Sequence, residues 1–241
     1  MTQPKPKRRW HQFSLRTLLI AVLVLSLPLG WIGWELEKTR REHVVVDRIE
    51  ELGGVVEYHE SKSPPWIARR FRRTQEVRLT VFPPAFLQND QSPFVSRVND
   101  NTLDLLKALK TTEELIIVGA NITDCGMEHV AELTSLDSLV LVGTKITDKG
   151  LIHIAPLTRI TKLTLSHSQT TDAGLVHLAA ITSLEELHLD NTDVTDAGLM
   201  HLRELANLER LGLYGSRVTH QGVEKLRQAL PNCEISYLSR F

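Results

Sequence analysis

From residue 99 onward the chain repeats one pattern of apolar and polar positions. In the stretch LEELHLDNTDVTDAGLMHLREL, Leu184 to Leu205, Leu187 and Leu189 lie two apart, the period of a strand with one buried face. Leu199, Leu202 and Leu205 then lie three apart, the stripe of a helix packed on one side. Strand and helix therefore alternate within each unit. The Thr residues before each helix fall at 123, 147, 171, 195 and 219, so the period is 24 without slippage. One further step back reaches Asn99 in NDNTLDLLKAL, where Leu103, Leu106 and Leu109 hold the places of Leu199, Leu202 and Leu205, a worn sixth copy. One such unit cannot bury both of its apolar faces, but stacked units share a continuous core.

The pattern LxxLxL, a turn, then (V/I)TDxGLxxLxxL resembles the leucine-rich repeat family over Asn99 to Ile235. The resemblance implies an α/β solenoid with a parallel sheet on its concave face and α-helices on its convex face. Its TDxG form is similar to the repeats of the F-box receptors of ubiquitin ligases and of many bacterial proteins, including membrane-anchored ones. An F-box-like helical domain is not found here. Ser or Thr also replaces the family's Asn or Cys after the strand, at Thr144, Ser168, Thr192 and Ser216, with Ala120 in the first regular copy. These hydroxyls are expected to bond backbone groups of the next coil, where strand partners run out.

Ahead of the array the apolar pattern changes to an unbroken run. TLLIAVLVLSLPLGWIGW, Thr17 to Trp34, is 18 residues without a charge. As a helix it measures about 27 Å against about 30 Å of hydrocarbon, so one N-terminal transmembrane helix is expected. Trp10 on one side and Trp31 and Trp34 on the other suit the interfaces. The run is read as an uncleaved anchor, because no small-x-small cleavage site follows it. Lys5, Lys7, Arg8, Arg9 and Arg16 precede it without an acidic residue, whereas Lys38, Arg40 and Arg41 follow it among Glu35, Glu37 and Glu42. That bias predicts a single-pass cell-membrane protein with a cytoplasmic N-terminus and an extracytoplasmic array.

The expected order is a basic tail over 1–16, the membrane helix over 17–34, a juxtamembrane helix and cap over 35–98, and the array with its C-terminal cap over 99–241. Within the cap, Val45, Ile49 and Leu52 follow helical spacing, Gly53 and Gly54 end that helix, and VVEY and EVRLTVF read as strands. The step from Leu79 to Asn99 is 14 residues longer than its counterpart from Leu189 to Thr195. This insertion, 82–98, carries Phe82, Phe86 and Phe94, and either closes the apolar end of the array or contacts a partner. Arg69, Arg70, Arg72 and Arg73 are expected to form a solvated face.

Composition narrows the classes. With 42% apolar and 24% charged residues the chain is foldable, and a net charge of −1 argues against nucleic acid as a partner. Two cysteines, Cys125 and Cys233, do not make a disulfide framework, and more than four coils separate them.

The recurring Thr, Asp and His suggest chemistry, yet each has a scaffold role. Thr caps the helix and the following Asp favours its positive end, with Thr as the principal cap and Asp as a smaller electrostatic addition. The Gly of each motif permits a close turn. His129, His153, His177 and His201 recur every 24 residues. Translated units hold equivalent rings parallel about 8 to 10 Å apart, too far for zinc ligands near 2.1 Å, so they are read as half-buried flanks. No cofactor, metal or catalytic residue is assigned.

Function is expected where the repeats differ. The strand positions facing away from the core include Ile116, Val118, Val140, Val142, Thr164, Ser166, His188, Asp190, Arg210 and Tyr214, assigned as a partner-binding concave face. The expected function is a non-catalytic protein-interaction module anchored in a membrane. The alternatives are an architectural protein that self-associates and, below it, an enzyme using His188, Asp190 and Tyr214.

Overall fold

A computed structural model describes residues 37, 40, 41, 43–51, 54–60, 75–81, 99–109, 112–119 and 121–238, without the side chains of 54–60 and 75–81. The expected membrane helix at Thr17–Trp34, the arginine run, the insertion 82–98 and Ala120 lie outside the described residues. Among those described, no helix is long and apolar enough to cross a membrane. The chain separates into two units, Met1–His43 and Val44–Phe241. In the first, Arg41 Nε donates to Glu37 Oε1 one helical turn away.

In the second unit eight strands form one sheet in sequence order. They are β1 (Gly54–Glu60), β2 (Gln75–Val81), β3 (Thr112–Val118), β4 (Ser138–Val142), β5 (Lys162–Thr164), β6 (Glu186–His188), β7 (Arg210–Tyr214) and β8 (Glu234–Leu238). β1 runs antiparallel to β2 at one edge, and from β2 onward every neighbour is parallel. Helix α1 (43–51) leads in, and helical segments return the chain between the later strands. These are α2 (Asp100–Leu103, continued as a tighter turn to Ala108), α3 (Asp124–Val130), α4 (Asp148–Leu151), α5 (Asp172–Leu178), α6 (Asp196–Leu199) and α7 (His220–Ala229). This is the expected α/β solenoid, with the helices packed on one face of the sheet.

From β3 onward the register is constant, so equivalent leucines stack. Leu115, Leu139, Leu163, Leu187, Leu211 and Ile235 form one row across the sheet, all buried against the helix stripe of Leu175, Leu178, Leu199, Leu202 and their equivalents. A buried leucine side chain contributes about 2 kcal/mol, and the shared core explains why no unit need stand alone. In α1 the expected Ile49 is buried and Val45 packs partly covered against the core, with Val46 buried beside them.

The coils are also joined by polar contacts, and here the expected roles change. Asp124 Oδ1 accepts the backbone N–H of Thr147 in the next coil at 2.7 Å, and its Oδ2 accepts the Thr147 hydroxyl at 2.7 Å. Asp100 serves Thr123, Asp148 serves Thr171, Asp172 serves Thr195 and Asp196 serves Thr219 in the same two-pronged way. In four of these coils the threonine also accepts, at 3.2 to 3.3 Å, from the second residue of its own helix; Thr219 accepts instead from Gly222. Asp is thus the principal inter-coil tie. Bonds to an ionised group contribute about 1.5 to 3 kcal/mol each.

The glycine of each motif is fixed by that same carboxylate. A Cβ on Gly150 would stand 2.6 Å from Asp124 Oδ1, and those on Gly174 and Gly126 2.5 Å from Asp148 Oδ1 and Asp100 Oδ1. Close approach of the preceding coil, in place of a turn, excludes a side chain there. The left-handed backbone occurs instead after the strands, at Gly119, Gly143, His167, Asn191 and Gly215.

The hydroxyls after the strands do not reach the next coil either. Thr192 and Ser216 donate to the carbonyls of Leu189 and Leu213 in their own coils, and Ser168 pairs with Thr170 at 2.7 Å. Thr144 Oγ1 is buried without a hydrogen-bond partner. The next-coil carbonyls are already reached by main-chain groups, as in Gly143 N–H to Ser166 and His167 N–H to Asp190.

Candidate functional site

The sheet face turned away from the helices carries three rows. One runs Glu114, Ser138, Lys162, Glu186, Arg210, Glu234; the next Ile116, Val140, Thr164, His188, Gly212, Ser236. The third continues the strands with Val118, Val142, Ser166, Asp190, Tyr214 and Leu238. Ile116, Val118, Val140 and Val142 lie together and half-buried on β3 and β4, at one end of the described side chains of this face, with Thr164 half-buried beyond them. Ser166 is on this face but 8% exposed, because Asp190 of the next coil sits beside it, its Oδ2 3.4 Å from the Ser166 hydroxyl.

At the other end His188, Asp190, Arg210 and Tyr214 come together around a cavity of about 280 Å³, completed by Leu211, Gly212, Glu234 and Ser236. His188 and Asp190 pack closely over Gly212, which has no side chain; a Cβ there would lie 2.5 Å from His188 Nδ1 and 3.1 Å from Asp190 Oδ2. Beside it, Arg210 donates to Glu186 Oε2 at 2.6 Å while His188 Nε2 lies 2.9 Å from Glu186 Oε1. The Arg210 guanidinium, with His188 second, pulls the Glu186 carboxyl down to about 2. Asp190 Oδ1 accepts the Tyr214 N–H at 2.7 Å, a side chain taking the place of a ladder carbonyl where β6 stops at His188. One oxygen of Asp190 is therefore committed to the fold. Tyr214 is 52% exposed at the rim.

The other candidates stay apart from this cavity. His129, His153 and His177 are half-buried and His201 is exposed along the helix side, flanking Val130, Ile154, Leu178 and Leu202, which are fully buried. Among the described residues no cluster of metal-ligating side chains occurs. Both cysteines are free; Cys125 is exposed, and burial pushes the Cys233 thiol up to about 11. The same helix side exposes Ile152, Val176 and Met200, each about half open to solvent and 24 residues from the next.

Glu186 and Gly212 hold strand positions that face away from the core in the repeat pattern, whereas Glu234 and Ser236 lie beyond the last repeat read onto this face. The period itself identifies Glu234 and Ser236, which lie 24 residues on from Arg210 and Gly212.

A leucine-rich repeat profile matches residues 132–155 and 180–205. No curated protein matches the chain. Among solved structures it is similar to an internalin of Listeria monocytogenes at 26% identity and a TM-score of 0.49, covering 57% of this chain and 38% of that one. It is also similar to internalin C2 of the same organism, at 22% identity and a TM-score of 0.45, over 61% of this chain and 77% of that one. A third likeness is to a leucine-rich-repeat protein of Leptospira interrogans, at 23% identity and a TM-score of 0.43, over 66% and 40%. The chain thus spans less than half the length of the first and third.

Proposed function

We propose that this chain, a leucine-rich-repeat protein, is a non-catalytic module that binds a protein partner on the open face of its sheet and is held at a membrane by Thr17–Trp34. One observation carries the binding claim. The side chains that repeat are engaged in holding coil to coil, as Asp172 holds Thr195, whereas those that vary gather on the open face around a cavity. Photo-crosslinkers placed on the full chain at Val140 and at Tyr214 are expected to capture one same partner in native membranes. A crosslinker at the helix-side residue Ala173 captures none. Equal capture from all three positions sinks the claim.

The charge bias around the apolar run supports a cytoplasmic N-terminus and an extracytoplasmic array. A compartment-specific reporter fused after Phe241 tests it, and activity on the cytoplasmic side reverses the orientation.

The exposed ladder Ile152, Val176 and Met200 favours a second reading, self-association through the helix side. Sedimentation that depends on concentration and is abolished by Val176→Lys is its expected signature.

A further inference from the structure

We infer that the open face accepts an extended segment of another protein, with two apolar side chains on the Ile116 to Val142 end and a lysine or arginine in the cavity over Gly212. This rests on the open face being the binding surface, and adds the chemistry of what it takes.

The cavity is lined by Asp190, Glu234, His188 and Arg210. The Arg210 guanidinium is held by Glu186 at 2.6 Å, so its charge is offset, and the carboxylates of Asp190 and Glu234 leave the cavity net negative. Glu234 is exposed and sits beside Arg210 in the register. Tyr214 offers a ring at the rim, against which a cation or a long aliphatic stem packs. His188 and Asp190 close over the backbone of Gly212, so the cation meets their polar atoms and the Tyr214 rim. The chemistry at the opposite end differs, since Ile116, Val118, Val140 and Val142 present only hydrocarbon.

The spacing between the ends then sets a pattern. Gly212 lies three register steps from Val140 and four from Ile116. At about 4.8 Å per step this is about 14 to 19 Å, which an extended chain rising about 3.3 Å per residue covers in about four to six residues. The partner segment therefore carries an apolar pair and a basic residue at that separation.

The test uses the full chain and a library of decapeptides with a fixed Val-Leu pair and every other position varied, read by fluorescence anisotropy. Lysine or arginine is expected to be enriched about four to six residues from the pair. Glu234→Lys is expected to remove that preference and weaken the selected peptides about tenfold at low salt. Enrichment of acidic residues, no preference, a preference that survives Glu234→Lys, or no bound peptide at all overturns the inference. Val140→Asp separates this failure from that of the open-face reading. Peptides weakened by Val140→Asp but indifferent to basic residues sink only the cavity's part, and peptides bound equally by Val140→Asp sink the face itself. Thr164 occupies the same row, so Val140→Thr serves should Val140→Asp unfold.

Discussion

Asp172 of one coil holds Thr195 of the next by both of its oxygens, one on the backbone N–H at 2.7 Å and one on the hydroxyl at 2.6 Å. Removing the carboxylate leaves a buried-side amide and a helix cap without their acceptor. Asp172→Ala is expected to cost about 2 to 4 kcal/mol, read from the urea midpoint. His220 stands where the motif's last Asp is lost and bonds Tyr237 instead, so His220→Ala is expected to cost under about 1 kcal/mol. Equal losses from the two variants contradict the tie.

The glycines depend on the same carboxylates. The three atoms nearest a Cβ on Gly222 all belong to the Asp196 carboxylate. Gly222→Ala is therefore expected to destabilise by about 1 to 3 kcal/mol alone and by much less in an Asp196→Ala background. A double-mutant cycle measures this, and simple additivity would show that the glycine serves some other need.

Thr144 and Thr192 occupy equivalent places with unlike hydroxyls, one without a partner and one bonded to the Leu189 carbonyl at 2.7 Å. Replacement by valine keeps the shape. Thr144→Val is expected to be neutral or stabilising by about 1 kcal/mol, and Thr192→Val destabilising by about 1 kcal/mol. Thermal melts should place Thr192→Val below the parent and Thr144→Val at or above it.

Glu186 is drawn from an ordinary value of 4.5 to about 2 by Arg210 and His188. A lowered carboxyl stabilises the folded state above its unfolded value, and that contribution disappears as the pH falls from about 4.5 towards 2. Because half of Arg210 is open to solvent, the pair is screened and its contribution is small. The gap in stability between the parent and Glu186→Gln is expected to be largest above pH 5 and to close on acidification. A gap that widens in acid would contradict the pairing.

The leucine rows were legible because period 2 and period 3 to 4 state directly which side of each element is buried; Leu187 and Leu199 needed no partner to be known. Asp172 was harder. Its nearest chain neighbours suggest an interaction with its own helix, while its partner lies 23 residues on. The signal lay at the ends of the array, where Asp100 persists beside Asn99 and Thr219 persists beside His220. A coil that only gives needs the Asp, and one that only receives needs the Thr. The cavity was half legible, since its charged residues follow the strand positions, but part of its wall belongs to the strand after the last full repeat.

Because every tie between coils has the same geometry, whole units can be removed or added without making a new kind of joint. Excising 147–170 would bring Asp124 against Thr171 as it now meets Thr147. The hydrocarbon end and the acidic cavity would then stand one strand spacing closer, about 4.8 Å. The array is in this sense a ruler graduated in coils, and the length of segment it measures is written in the number of its repeats.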